Sequence, residues 1–172
     1  MRRVGEYAGL LAAKLGLSEK EQEIVRLAAS MHDIGKLGTP DVILEKPGKL
    51  TKEEFEVVKQ HAKIGFDMLH GSDLPMLKAA SLIAAQHHER YDGTGYPLGL
   101  SGEDIHLYAR ITSIADVFDA LGCARPYKEA WPLKNILEYF REQKGHQFDP
   151  VLVDLLFSSM EEVLEIRRKF AD

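Results

Sequence analysis

Apolar residues recur at helical spacing along almost the whole chain, and this repeat constrains the fold more than any other feature of the sequence. Val4, Ala8 and Leu11 begin the pattern, separated by four and then three residues, which places them on one face of a helix. No alternation of period two persists long enough to predict a sheet. We therefore predict an all-α protein, a compact bundle of about seven to nine helices.

Short local signals predict where these helices begin. Ser18 with Glu21 has the spacing of a capping box, in which each residue satisfies a backbone N–H of the other. Thr51 with Glu54 repeats that spacing, and Pro75 suits the first turn of a helix. The other predicted elements are a loop over 34–50, a helix after 51 followed by a separate one over 64–69, a turn-rich segment over 89–103, a long helix over 105–121 and one last helix from 150.

Length and composition limit the class of protein. The 172 residues fit a single domain over 1–172, with 45% hydrophobic and 28% charged residues. The net charge of −5 argues against a DNA or RNA polymer as partner, so that any phosphate-binding patch must be local. One cysteine, Cys123, excludes an internal disulfide and a thiolate zinc site.

Targeting signals are missing from the sequence. The N-terminal arginines are not followed by the apolar core of a signal peptide. No stretch approaches the roughly 18 apolar residues of a membrane span. We therefore expect a cytoplasmic protein without direct membrane insertion.

Candidate metal ligands stand mostly at the ends of predicted helices. Neighbouring side chains on a regular helix diverge by about 100°, so an adjacent His-Asp or His-His pair can face one point only at a helix end. Asp116 instead lies inside the long helix between Ala115 and Val117, where a carboxylate is costly unless it is paired or metal-bound. Imidazoles and carboxylates without thiolates suit Fe, Mn, Co, Ni or Zn in a catalytic role. The candidates are His32, Asp33, His61, His87, His88 and Asp116.

The glycine-rich segment after His88 is a second candidate feature. Gly93 and Gly95 permit a positive φ and close approach of the backbone. Tyr91 and Tyr96 offer aromatic surface and hydroxyl donors. The segment is interpreted either as a surface turn or as a loop that shapes a substrate site, and its position directly after two candidate ligands favours the second interpretation.

Arg125 and Lys128 follow the predicted helix of Asp116. Arginine can grip a phosphate with two hydrogen bonds, and lysine can add a point charge. On their own these residues are more typical of an ordinary solvated turn.

Taken in order, the motifs resemble the HD-GYP branch of the HD hydrolase superfamily, whose members cleave cyclic di-GMP. The resemblance covers almost the whole chain. The matching segments are His32-Asp33-Ile34-Gly35-Lys36, Lys46-Pro47-Gly48-Lys49-Leu50-Thr51, His61, His87-His88-Glu89-Arg90, Asp92-Gly93-Thr94-Gly95-Tyr96-Pro97, Ala109-Arg110-Ile111, Ile114-Ala115-Asp116-Val117-Phe118-Asp119-Ala120-Leu121, Arg125-Pro126-Tyr127-Lys128 and Phe148-Asp149-Pro150.

The resemblance implies a metal-dependent phosphodiesterase that converts cyclic di-GMP to pGpG, with GMP as a further product. It implies two divalent metal ions, foremost Fe or Mn, with Co, Ni and Zn as alternatives, and it makes Asp33 the bridging ligand. Lys36 and Asp33 are then the catalytic residues. The implied metal ligands are His32, Asp33, His61, His87, His88 and Asp116, and the implied substrate-binding residues are Arg125, Lys128, Tyr96 and Asp119.

One departure from the family concerns the first helix. Family members carry a metal-ligating histidine ahead of the pair that matches Arg3 and Val4, at a position that would fall just upstream of Met1. We therefore expect the first helix to be truncated and a regulatory domain to precede it in the parent protein. Two alternatives stay open: a catalytically weak module that binds a cyclic dinucleotide or a signalling partner, and a hydrolase of another cyclic dinucleotide. A homodimer also stays open.

Overall fold

The computed structural model of the chain describes residues 1–124 and 129–170. Within these ranges the chain forms nine α-helices, two short 3-10 turns and no strand, which confirms the predicted all-α bundle. No helix in the same ranges has the length and apolar character that crossing a bilayer requires. The helices are Arg2–Lys14 (α1), Glu19–Ala29 (α2), Asp41–Leu44 (α3), Lys52–Leu69 (α4), Pro75–Gln86 (α5), Leu107–Gly122 (α6), Leu133–Glu142 (α7), Pro150–Ser158 (α8) and Met160–Lys169 (α9).

Both predicted capping boxes are confirmed. The Glu21 N–H donates to Ser18 Oγ at 3.4 Å, and Glu21 Oε2 accepts from the Ser18 N–H at 3.0 Å. At the start of α4, Thr51 and Glu54 make the same reciprocal pair, at 3.2 and 2.7 Å. These bonds satisfy N–H groups that the first turn of a helix otherwise leaves without partners.

Three predicted boundaries were wrong. The predicted loop over 34–50 contains a 3-10 turn, Ile34–Gly38, and the short helix α3. The predicted break near residue 64 does not occur, because α4 runs without interruption and Gly65 lies in its buried interface with α5. The predicted last helix is divided into α8 and α9 at Ser159, a buried residue with no glycine or proline beside it to announce the break.

The main hydrophobic core lies among α1, α6, α7 and α8. Tyr7 meets Phe118 edge to face with ring centroids 5.4 Å apart, and Phe140 stacks on Phe148 at 4.5 Å. All four rings are almost completely buried, and aromatic pairs in these geometries stabilise a core beyond the area they bury. The core therefore fixes α6, the helix that carries Asp116.

A second contact region lets three elements approach each other closely. A Cβ atom added at Gly35 would lie 1.9 Å from the His61 carbonyl oxygen and 2.5 Å from the Gly65 nitrogen. A Cβ atom at Gly65 would lie 3.0 Å from Ala84 Cβ. The 3-10 turn thus packs directly on the backbone of α4, and α4 packs closely on α5. This packing brings the segment that follows α2 up to the helix of His61.

We predict that Gly35→Ala lowers the free energy of unfolding by roughly 3 kcal/mol, because its methyl group would overlap backbone atoms that cannot move aside independently. Chemical denaturation measures the loss. Gly9→Ala is the matched control, since its Cβ would meet only side-chain atoms of Arg26, at 3.2 to 3.5 Å. Equal stability of the two variants would contradict the close backbone contact at Gly35.

Candidate active site

Four parts of the fold bring the predicted metal ligands together. The turn after α2 supplies two residues, α4 supplies one, the end of α5 supplies two, and α6 supplies one from its middle. The adjacent pairs both stand just beyond a helix end, as the divergence of neighbouring side chains on a helix requires. The six residues are His32, Asp33, His61, His87, His88 and Asp116.

Three of the imidazoles are oriented by their own helices. The Nδ1 atoms of His32, His61 and His87 lie 2.7, 2.5 and 3.0 Å from backbone carbonyl oxygens three or four residues earlier. A carbonyl only accepts, so each Nδ1 carries a hydrogen and donates it. In the neutral ring Nε2 then carries a lone pair, which is the form that binds metal ions. All three residues are at most 2% exposed.

The carboxylate of Asp33 lies between two groups of side chains. Its Oδ1 atom is 3.4 Å from His61 Nε2 and 3.8 Å from His87 Nε2. Its Oδ2 atom is 3.4 Å from His32 Nε2 and 2.5 Å from Lys36 Nζ. Each oxygen of one carboxylate therefore faces a different set of partners.

The first group has the arrangement of a metal site. One ligand atom from each of Asp33, His61, His87 and His88 lies within 4.8 Å of all the others. The Nε2 atoms of His61 and His87 are 3.4 Å apart, although the orientation of both rings leaves these atoms without hydrogens. Two lone pairs at that distance repel each other unless a cation lies between them. These four residues could hold one metal ion.

A second group forms on the other side of Asp33. His32 Nε2 is 3.4 Å from Asp116 Oδ1, the same distance that separates it from Asp33 Oδ2. Both His32 Nε2 and Asp33 Oδ1 are buried and make no hydrogen bond among the described residues. Buried polar atoms without partners are rare in folded proteins. Their presence here, with nitrogen and oxygen donors only, fits a divalent transition metal.

Burial and neighbouring charges set the protonation of the site when no metal is bound. Burial lowers the pKa of His88 to about 2, and the charges of His87 and His61 act in the same direction. Burial also lowers the pKa of His61. At His32 burial opposes protonation, but the carboxylates of Asp116 and Asp33 beside the ring prevail and raise the pKa to about 10. A metal ion bound at His32 must therefore displace a proton, whereas one bound at His61 and His88 meets neutral imidazoles.

The glycine-rich loop is fastened beside this cluster. Glu89 is only 3% exposed, and its two carboxylate oxygens accept from the backbone N–H groups of Leu98 and Leu100 at 2.7 and 3.0 Å. A Cβ atom added at Gly95 would lie 2.3 Å from the Arg90 nitrogen. Only glycine allows the loop to fold back on the residues that follow His88. The sequence identified this segment, but not the role of Glu89.

The fold of this loop places Tyr96 against the cluster of candidate metal ligands. Its ring stacks on His88, with centroids 4.8 Å apart and an interplanar angle of 25°. Burial, with the charges of Asp33 and Asp116, raises the pKa of the Tyr96 hydroxyl to about 12. The hydroxyl group therefore stays protonated and is available as a hydrogen-bond donor.

A cavity of about 370 Å³ opens beside the cluster. His87, His88 and Asp116 reach its wall. Four further residues line this cavity and were not predicted as site residues from the sequence: Phe55, Lys59, Ser113 and Gln147. Phe55 fitted the apolar stripe of a helix, and the other three belong to residue types that are common on any surface. No sequence signal distinguished them.

Four predicted site residues remain: Lys36, Asp119, Arg125 and Lys128. Lys36 is beside the candidate metal ligands. The carboxylate of Asp119 accepts from Arg3 Nε at 2.7 Å, and the Asp119 side chain is 14% exposed. This ion pair joins α6 to α1, and a contact of Asp119 with substrate stays a prediction. Arg125 and Lys128 lie outside the described residues.

Comparison with known families identifies the class of protein. Residues 1–152 match the model of the HD domain family, so the chain belongs to the HD domain family. This result and the relatives below confirm the resemblance found in the motifs.

Several characterised proteins are similar over nearly the whole chain. The cyclic di-GMP phosphodiesterase response regulator RpfG of Xanthomonas campestris pv. campestris is 50% identical over 171 residues, which are 99% of this chain and 45% of the relative. The 3'3'-cGAMP-specific phosphodiesterase 2 of Vibrio cholerae serotype O1 is 44% identical over 172 residues, 100% of this chain and 33% of the relative. The chain thus spans less than half the length of these relatives.

A solved structure supports the fold. An HDG"Y"P protein from Bdellovibrio bacteriovorus superposes with a TM-score of 0.69 and 23% sequence identity, over 93% of this chain and 51% of that one. At this level of identity the likeness concerns the fold alone.

We predict that His61→Ala weakens the binding of Mn²⁺ by roughly tenfold or more, because it removes one of the buried nitrogens from the group around Asp33. Calorimetric titration of the metal-free protein measures the affinity, and metal analysis after dialysis measures the content. His70→Ala is the control on the same helix, since His70 caps the exposed end of α4 and belongs to neither group. Similar affinities for the two variants would contradict the site.

Proposed function

We propose that this chain is the catalytic domain of a metal-dependent phosphodiesterase that hydrolyses cyclic di-GMP to linear pGpG, with GMP as a further product. The observation that carries the proposal is the position of Asp33, whose two oxygens face separate groups of nitrogen and oxygen donors. The relatives named as cyclic di-GMP phosphodiesterases, at 50% and 42% identity over 99% of the chain, support the choice of substrate.

We propose two divalent ions, Fe or Mn, for this cluster. Asp33 would hold both ions, because a carboxylate can offer one oxygen to each ion while an imidazole has a single free nitrogen. His61, His87 and His88 would complete one site, and His32 with Asp116 would belong to the other. Bound divalent ions supply Lewis acidity, which lowers the pKa of water and neutralises charge on phosphoryl oxygens.

We assign Lys36 and Tyr96 to the reacting phosphate. The ammonium of Lys36 lies 2.5 Å from Asp33 Oδ2, and its side chain is 40% exposed. It can stabilise the charge that develops on a phosphate beside Asp33 and donate a proton to the leaving 3′ oxygen. The protonated hydroxyl of Tyr96 offers a further hydrogen bond. We assign Arg125 and Lys128 to the second phosphate, where binding energy orients the first.

Another cyclic dinucleotide is the second candidate substrate. The relative named as 3'3'-cGAMP-specific is 44% identical over the entire chain, only slightly less than the first. Overall sequence similarity therefore supports a cyclic dinucleotide phosphodiesterase, but it does not determine which bases the substrate carries. The partial coverage of both relatives also supports a further, regulatory domain in the parent protein.

We expect the pure chain to convert cyclic di-GMP to pGpG in the presence of Mn²⁺ or Fe²⁺ under anaerobic conditions, and a chelator to stop the reaction. Asp33→Ala should reduce turnover to the level of the chelator control, because the variant loses the ligand shared by both groups. Chromatography of the products measures both effects.

Asp67→Ala is the matched control, since Asp67 also pairs with a lysine of its own segment but lies on the exposed face of α4. Substantial turnover by Asp33→Ala with added metal would disprove the bridging role. Metal-dependent cleavage of 3'3'-cGAMP with no cleavage of cyclic di-GMP would establish the second candidate substrate.

A further inference from the structure

One wall of the cavity consists of aromatic rings that do not belong to the metal cluster. Phe55 of α4 meets Tyr96 edge to face, with centroids 6.2 Å apart and an interplanar angle of 82°. Tyr96 in turn stacks on His88. Phe55 is 43% exposed and lines the cavity. The rings of His88, Tyr96 and Phe55 thus contact one another in series, and all three residues line the cavity.

A lysine stands over this surface. Lys59 Nζ lies 5.1 Å from the Phe55 ring centroid and 5.4 Å from the Tyr96 ring centroid. Glu56, one turn earlier, accepts from the ammonium at 2.6 Å, but the carboxylate side chain is 65% exposed. Such a surface pair contributes little, and an ammonium has three donors. Lys59 is therefore held in place and still able to donate to a ligand.

Among the described residues that line the cavity, one other lysine or arginine occurs, Arg90. Its side chain is engaged in hydrogen bonds within the protein. Its Nε atom donates to Thr94 Oγ1 at 2.9 Å, and its Nη2 atom donates to Gln143 Oε1 at 3.1 Å. These bonds brace the glycine-rich loop. In the described part of the wall, Lys59 is the cation best placed to recognise a ligand.

We propose that Phe55, Tyr96 and Lys59 form a seat for a guanine base of the substrate, an inference that rests on the proposed function. The purine ring stacks on the aromatic surface, and Lys59 donates to O6 and N7. Guanine presents these two atoms as adjacent acceptors, whereas adenine presents an amino group beside N7 and would direct a donor at the ammonium. Stacking binds either purine, and Lys59 distinguishes guanine from adenine.

The surroundings of Lys59 favour a base over a phosphate as its ligand. The ammonium lies above the faces of two aromatic rings, and these faces carry negative potential. A charged phosphate brought to the same place would lose hydration against apolar carbon. A flat purine gains contact area there and keeps its polar edge directed at the ammonium.

The test compares two competitors against a reporter that has no base. The rate of hydrolysis of bis(p-nitrophenyl) phosphate measures the activity of the metal-binding site. Cyclic di-GMP and cyclic di-AMP are titrated against this reporter as inhibitors. Lys59→Met keeps the length of the side chain and removes the donors. We expect it to raise the inhibition constant of cyclic di-GMP by roughly tenfold, with that of cyclic di-AMP and the rate on the reporter changed by less than about twofold.

Two further variants make the result specific. Phe55→Ala should weaken both inhibitors by a similar factor, because it removes stacking surface that either purine uses. Lys63→Met is the matched control: Lys63 lies one turn further along α4 and pairs with the exposed Asp67. It should change neither inhibition constant.

The outcomes separate the inference from the function on which it rests. An equal loss for both inhibitors in Lys59→Met would overturn the guanine seat in favour of a phosphate contact. No loss for either would overturn any role of Lys59 in binding. Failure of cyclic di-GMP to inhibit the wild-type protein, with the reporter still cleaved, would overturn the proposed function itself.

Discussion

The carboxylate of Asp33 is the centre around which the site is arranged. It lies among buried imidazoles whose Nδ1 atoms are already bound to backbone carbonyls, so that their Nε2 atoms converge on its two oxygens. Without a metal ion this arrangement is unfavourable, because the Nε2 lone pairs of His61 and His87 face each other and buried atoms go without hydrogen bonds. The fold maintains an arrangement that binding of a metal would stabilise.

That arrangement depends on how closely the elements approach each other. The turn that carries Asp33 contacts α4 through Gly35 without an intervening side chain, and α4 meets α5 through Gly65 and Ala84. A separation larger by one methyl group would move the aspartate away from His61. The aromatic core on the other side holds α6 in place, so Asp116 is positioned by packing that does not involve the other candidate ligands.

Helical periodicity and capping residues were sufficient to predict the bundle. The adjacent pairs at helix ends indicated four of the residues that meet, and the carboxylate inside an apolar helix indicated Asp116. The break at Ser159 was missed because it depends on tertiary packing, without a local signal. Phe55 and Lys59 were missed for a related reason. Their spacing is that of any amphipathic helix, and only the folded glycine-rich loop shows that Tyr96 lies against them.

The loop joins the two halves of the site. The side chains of Glu89 and Arg90 stabilise the loop through hydrogen bonds to other loop residues. The loop in turn holds Tyr96 between two neighbouring rings. His88 belongs to the metal cluster and Phe55 to the proposed base seat, so a single ring contacts both. In the proposed function, the base and the reacting phosphate of one ligand would lie at the two places that Tyr96 borders. The fold of the loop would then set their separation and orient the phosphate towards Asp33.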